Sequence, residues 1–185
     1  MEQQQRKIRR SKSESAKPES DKSLALQSEW KEKVIQIRRV TKVVKGGKKL
    51  SFRSVVVVGN TKGQVGIGIG KSNEVIGAIQ KGVATARKNL IDVPIFKTTI
   101  PHQIIGRANS GKVILKPAGP GTGIIAGGAA RAVLELAGIE NILCKSLGSD
   151  SPLNVARATI DALKNLRRFS EVAEMRGLSV KEMLN

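Results

Sequence analysis

An α+β fold is expected for this 185-residue chain, with a β-β-β-α domain followed by a β-β-α-β-α sandwich. Three observations predict it. Residues 34–44, 49–59 and 64–70 are dense in β-branched residues and are divided by glycine-bearing turns. Val75, Ile79, Val83, Ala86 and Leu90 then recur at helical spacing. From residue 100 onward, short apolar runs and helical stripes alternate again.

Each element has its local reason. Residues 1–28 are rich in Gln, Lys, Arg, Ser and Glu without apolar periodicity, so a disordered basic tail is expected, with Trp30 marking the start of the folded part. Lys45-Gly46-Gly47-Lys48 predicts a hairpin turn, because Gly reaches positive φ without steric cost, and Asn60-Thr61-Lys62-Gly63 predicts a second. Ser72 is the expected N-cap of the helix that follows, with Glu74 in its first turn. Its apolar stripe should cover one face of the sheet and close a domain over 29–93.

A connector with Pro94 and Pro101 leads into a second domain, 94–170. Strands over 100–105 and 112–116 flank Asn109-Ser110-Gly111, another hairpin signal. The glycine-rich stretch 117–128 opens a helix over 129–137 that Gly138 stops, and a strand over 141–147 follows. Ser151 and Pro152 start the last long helix, with Ala156, Ile160, Leu163 and Leu166 inward. Residues 171–185 form a helical tail, where Ser179-Val-Lys-Glu182 reads as a capping box.

Charge dominates the composition. The net charge is +18, and residues 29–100 hold +11 of it, from 15 basic and 4 acidic side chains. Arg38, Arg39, Lys42, Lys45, Lys48, Lys49, Arg53 and Lys71 surround the first hairpin, with Gly46 and Gly47 at its tip and no acidic residue between them. Such one-sidedness favours a polyanion, since each neutralised phosphate releases counterions. An anionic membrane surface competes in principle, but no basic amphipathic helix of that kind is visible. Trp30 and three Phe, with no Tyr, argue against stacking of splayed bases, so contact should be to phosphate, ribose hydroxyls and groove shape.

No motif supports catalysis or a cofactor. The run ending Gly70-Lys71-Ser72 lacks the glycine that a phosphate loop requires at position 65, where Val65 stands. Its glycines alternate with Val and Ile, as one face of a strand that lets a helix or RNA backbone come close. Gly121-Thr-Gly123-Ile-Ile-Ala126 matches a dinucleotide fingerprint, but the next strand ends in Lys145-Ser146-Leu147 rather than an acid. His102 is the single histidine and reads as a polar surface residue, and Cys144, the single cysteine, as a buried inert thiol. Neither a metal site nor a nucleophile with its base is available, so a non-enzyme is expected.

The runs RRVTKVVKGGKKLSF, VGIGIGKSNEVIGAIQKG, PAGPGTGIIAGGAARAVLELAGI and NVARATIDAL closely resemble the bacterial small-subunit ribosomal protein S-five family, over about residues 30–177. WKEKVIQIRRVTKVVKGGKKLSFR and FSEVAEMRG look most like its cyanobacterial and plastid branch. The resemblance implies a first domain similar to double-stranded-RNA-binding domains and a ferredoxin-like second domain. It implies binding to small-subunit ribosomal RNA near where messenger RNA enters, contact with ribosomal proteins four and eight, and a part in decoding accuracy. Gly121, Gly123 and Arg131 fall at the implied contact with protein four. Plastid stroma is the expected compartment, with a cyanobacterial cytoplasm as the alternative. Lys48 departs from the arginine of many bacterial members, keeping the charge without the planar fork. An RNA-binding chaperone outside the ribosome is the rival class.

Overall fold

The computed structural model describes residues 30–184, so the tail expected over 1–28 lies outside the described residues. From Lys31 onward the chain forms one compact unit. The first sheet comprises β1 (Lys31–Val44), β2 (Gly47–Gly59), β3 (Gln64–Ser72) and β4 (Leu90–Asp92), antiparallel in the order β1-β2-β3-β4. Helix α1 (Val75–Lys88) packs on one face of it. The second sheet comprises β5 (Ile104–Ala108), β6 (Gly111–Pro117), β7 (Ile124–Ile125) and β8 (Ile142–Ser146), in the order β5-β6-β8-β7. Among the described residues only β7 and β8 pair in parallel. Helices α2 (Gly128–Ala137) and α3 (Pro152–Lys164) lie between the two sheets, giving four layers. Short helices α4 (Phe169–Arg176) and α5 (Val180–Leu184) follow.

The fold is the expected α+β, with local corrections. The first turn tightens to Lys45-Gly46, since Val44 already pairs with Gly47, and Gly46 takes φ +89°, open to glycine at little cost. Ser72 ends β3 instead of capping α1; Glu74 occupies the N-cap without a side-chain cap bond. The helix buries Ala78, Gly82 and Ala86, while Val75, Ile79 and Val83 are half-buried and Leu90 belongs to β4. Close approach explains the small stripe. A Cβ on Gly68 would strike the Gly82 carbonyl and Ala86 amide, and one on Gly70 the Ala78 carbonyl. The glycine face of β3 thus serves the helix.

In the second sheet, Ile124–Ile125 form a strand inside the glycine-rich stretch, so the dinucleotide fingerprint is interrupted by β7 and does not lead straight into a helix. Gly138 ends α2 in the left-handed conformation, and Pro152 occupies the first turn of α3, as expected. Ser179 and Glu182 form the capping box, with Ser179 N–H donating to Glu182 Oε2 at 2.8 Å. His102 does more than face solvent. Its Nε2 accepts from Arg167 N–H at 3.1 Å, which leaves Nδ1 to donate to Gln103 O at 3.0 Å.

A single core joins the layers. Val57 and Val65 of the first sheet cluster with Leu115 and Ile142 of the second, and with Leu134 and Leu163 of the intervening helices. Each fully buried Leu or Ile contributes about 1.5–3 kcal/mol of transfer free energy. Polar groups seal the same boundary. The N–H groups of Thr61 and Gly63 donate to Leu136 O and Ala137 O, both at 3.0 Å, satisfying carbonyls that the end of α2 leaves open.

Candidate nucleic-acid interface

The basic residues singled out above are sorted by strand register. A β-bulge between Val34 and Gln36 shifts β1 by one, and Arg38 then pairs with Arg53, which pairs in turn with Lys71. Without that extra residue Ile37 would oppose Arg53, and Arg38 would turn to the helix side. Lys42 and Lys49 oppose each other four residues further along the ribbon, on the same face. This face is the one turned away from α1, because Ser54 on the alternate face donates its hydroxyl to Ala78 O of α1 at 2.7 Å. Arg39 and Lys48 fall on the helix-side face of the ribbon, opposite Phe52 and Val43. Lys45, Gly46 and Gly47 make the tip and are exposed.

Among the described residues no carboxylate pairs with any of these cations; the ion pairs lie elsewhere, at Lys33–Glu135, Arg87–Glu32 and Arg131–Glu135. Arg53 is half-buried between its two cationic neighbours, and its Nε is enclosed without a hydrogen-bond partner. Like charges directly opposite one another destabilise a sheet. Three in a row across three strands are a structural cost that an external anion would relieve.

The residues expected at a protein contact are held by a different set of bonds. Gly123 N–H donates to Asn141 Oδ1 at 3.0 Å, and Gly123 O accepts from Ile142 N–H at 3.1 Å. Gly121 and Gly123 both take positive φ, at +90° and +73°, with open space where a side chain would stand. Arg131, in α2, donates from Nε to Glu135 Oε1 at 2.8 Å, and Lys33 Nζ reaches Glu135 Oε2 at 2.7 Å. Hydrogen bonds from Lys33 first, and from Arg131 second, hold the Glu135 carboxyl below its ordinary value. The contacts of Arg131 thus lead to the first sheet, and those of Gly123 to the start of β8.

Sequence reasoning missed Lys33, Glu135 and Asn141. Glu135 was detectable as the i+4 partner of Arg131. Asn141 is buried and bonds both Gly123 and Thr98, its Nδ2 donating to Thr98 Oγ1 at 3.0 Å; nothing local marks it. Cys144, expected to be buried, is half-buried instead, and that partial burial still pushes its thiol up to about 11.

The family model described as ribosomal protein S5, N-terminal domain, matches residues 30–94, and that described as ribosomal protein S5, C-terminal domain, matches residues 106–176. The chain is similar to small ribosomal subunit protein uS5 of the cyanobacterium Picosynechococcus sp., at 61% identity over 165 residues, covering 89% of this chain and 95% of that protein. It is 62% identical to uS5 of Acaryochloris marina over 157 residues, 84% of this chain and 89% of the other. For uS5 of Synechocystis sp. the identity is 63% over 155 residues, 83% and 90% of the two chains.

Proposed function

The chain belongs to the ribosomal protein S5 family, a family of structural components rather than enzymes, and from that membership we propose that it binds small-subunit ribosomal RNA through the cationic face of its first hairpin. Its place is in the small ribosomal subunit. The observation that carries the RNA contact is the cross-strand triplet Arg38–Arg53–Lys71, three adjacent cations without a counter-charge among the described residues. Lys42 and Lys49 extend that face toward the tip, where Lys45, Gly46, Gly47 and Lys48 meet the RNA, and Arg39 reaches it from the other side. Phosphate and groove contacts, not base stacking, hold the two together.

In this reading residues 29–93 are the RNA-binding domain, 94–170 the domain that meets neighbouring proteins, and 1–28 and 171–185 its tails. The Gly121–Gly123 loop and Arg131 face ribosomal protein four, protein eight lies nearby, and the pair with protein four influences decoding accuracy where messenger RNA enters. Accuracy then depends on differential contacts between two states of the subunit, not on chemistry. The ribosome is the location. The cyanobacterial relatives favour a cyanobacterial cytoplasm, and plastid stroma is the second reading, from the likeness to that branch.

Sedimentation of the tagged chain through sucrose, at moderate and at high salt, tests the reading. Stoichiometric travel with small subunits that survives the high-salt wash is the expected result. Migration as free protein, or release at moderate salt, would favour an RNA binder outside the ribosome.

A further inference from the structure

A cavity of about 520 Å³ opens where three separate segments meet: the β2–β3 turn, the connector over 93–101 and the start of α4. Neither the cationic hairpin nor the Gly121–Gly123 loop lines it. Val93, Pro94, Ile95 and Pro101 give it apolar walls. Phe96 and Phe169 also line it and pack edge to face, their ring centroids 4.9 Å apart and their planes at 85°. The chain has three Phe, one Trp and no Tyr, so half of its aromatics stand at this one cavity. Phe96 is 38% exposed there rather than placed in the core.

Hydrogen bonds fix its walls. Phe96 and Thr99 exchange backbone bonds at 2.8 and 3.0 Å, closing a tight turn in which Lys97 takes a left-handed φ of +55°, uncommon for a residue with a side chain. Val93 N–H donates to Gly63 O at 2.7 Å, and Arg167 N–H to His102 Nε2 at 3.1 Å, which ties down the segment that carries Arg168. The charge is of one sign. Arg168 and Lys62 line the cavity, and Lys97 Nζ stands 5.6 Å from the Phe96 centroid. None of the described residues lining it is Asp or Glu, and nearby Glu171 turns to its own helix, accepting from Arg168 N–H at 3.4 Å. We infer that this cavity binds a small organic anion, one or two aromatic rings bearing a carboxylate. Its ring lies against Phe96 and Phe169, and its carboxylate on the Arg168 guanidinium.

Size and polarity select that occupant. The volume lies within the range of small-molecule sites, about 300–1,000 Å³, and is too small for a folded RNA helix. A splayed nucleotide is the rival. Its base would set polar edges against Val93, Pro94 and Ile95, which offer no side-chain hydrogen-bond partner, and an unpaired buried polar group is costly. An apolar ring with one carboxylate leaves no such group unpaired. The site does not depend on the RNA contact proposed for the hairpin.

The test titrates indole acetate, one ring system and one carboxylate, into the isotope-labelled full-length chain. Salt at about 0.3 M screens diffuse attraction of the anion to the hairpin. Amide shifts should saturate with a Kd below about 1 mM at Gly63, Phe96, Lys97 and Ser170, and leave Lys45 and Lys48 unmoved. Arg168→Gln should weaken indole acetate about tenfold while barely changing the binding of tryptophol, its uncharged analogue. Phe96→Leu should weaken both. Both positions are exposed, so each variant should keep the native amide spectrum away from the cavity. Shifts that do not saturate, shifts centred on the hairpin, or an undiminished affinity in Arg168→Gln would overturn the inference. So would tighter binding of uridine monophosphate than of indole acetate at the same amides.

Discussion

Lys33 Nζ of β1 lies 2.7 Å from Glu135 Oε2 of α2, joining residues 102 apart in sequence across the boundary between the two sheets. Arg131 Nε holds the other oxygen of the same carboxylate at 2.8 Å. Glu135 is the anionic centre of a bridge from the first sheet to the helix that carries Arg131. A residue read from sequence as a partner contact therefore also belongs to the fold.

Removing that anion should loosen the joint modestly. Lys33 is half exposed and Glu135 one-third exposed, so solvent screens both bonds. Glu135→Gln should cost about 1 kcal/mol near neutral pH, read in urea melts. The sign with pH follows from the lowered carboxyl: its contribution is full above the ordinary value of 4.5 and is lost as pH falls through the folded value. Wild type and variant should therefore converge in acid; a gap that persists would show that the bridge is not its source.

Arg131→Leu leaves Lys33 on Glu135, so the variant should fold and assemble almost normally. Under the proposed contact with protein four it should raise misreading of a reporter codon. Unchanged miscoding with normal assembly would remove Arg131 from that contact.

Arg53→Gln should move stability and binding in opposite directions. Relieving repulsion from Arg38 and Lys71 should stabilise the free protein by about 0.2–1 kcal/mol at low salt. Loss of one phosphate contact should weaken RNA binding and lower the slope of log K against log salt by about one. Equal loss of stability and affinity would mean that Arg53 is structural only.

Gly68→Val should be severe, because the added carbon meets backbone atoms of Gly82 and Ala86 that cannot turn aside. A loss of about 2–3 kcal/mol is expected from thermal or urea melts, through displacement of α1 from the sheet.

Cys144 should resist alkylation in the native state. With its thiol at about 11, roughly one molecule in a thousand is thiolate near pH 8, far fewer than for a free cysteine. Iodoacetamide should label it about a hundredfold faster in denaturant, and comparable rates in both states would contradict the raised thiol.

Most element types were legible because they rest on local chemistry. Turn glycines at 46 and 138, β-branched runs in β1 to β3 and Pro152 at the head of α3 each impose their conformation from within a few residues. Ser72 misled because its cap signal competed with continued pairing of β3 to Phe52, a long-range contact. The two-residue β7 escaped notice because it exists only through its pairing with β8. For the candidate site, the charge of the hairpin was plain, but not its division between two faces.

That division marks the boundary between the two kinds of information. Composition and local pattern determine that this chain has strands, helices and a strongly basic hairpin without a catalytic constellation. Which cations stand side by side depends on the bulge at Ile35, since a shift of one residue turns every following side chain to the opposite face. Likewise the Lys33–Glu135 bridge and the cavity at Phe96 and Phe169 arise only when distant segments pack together. Side-chain alternation is a property of a few neighbouring residues, whereas register and partner are set by hydrogen bonds and core contacts between segments far apart in the chain.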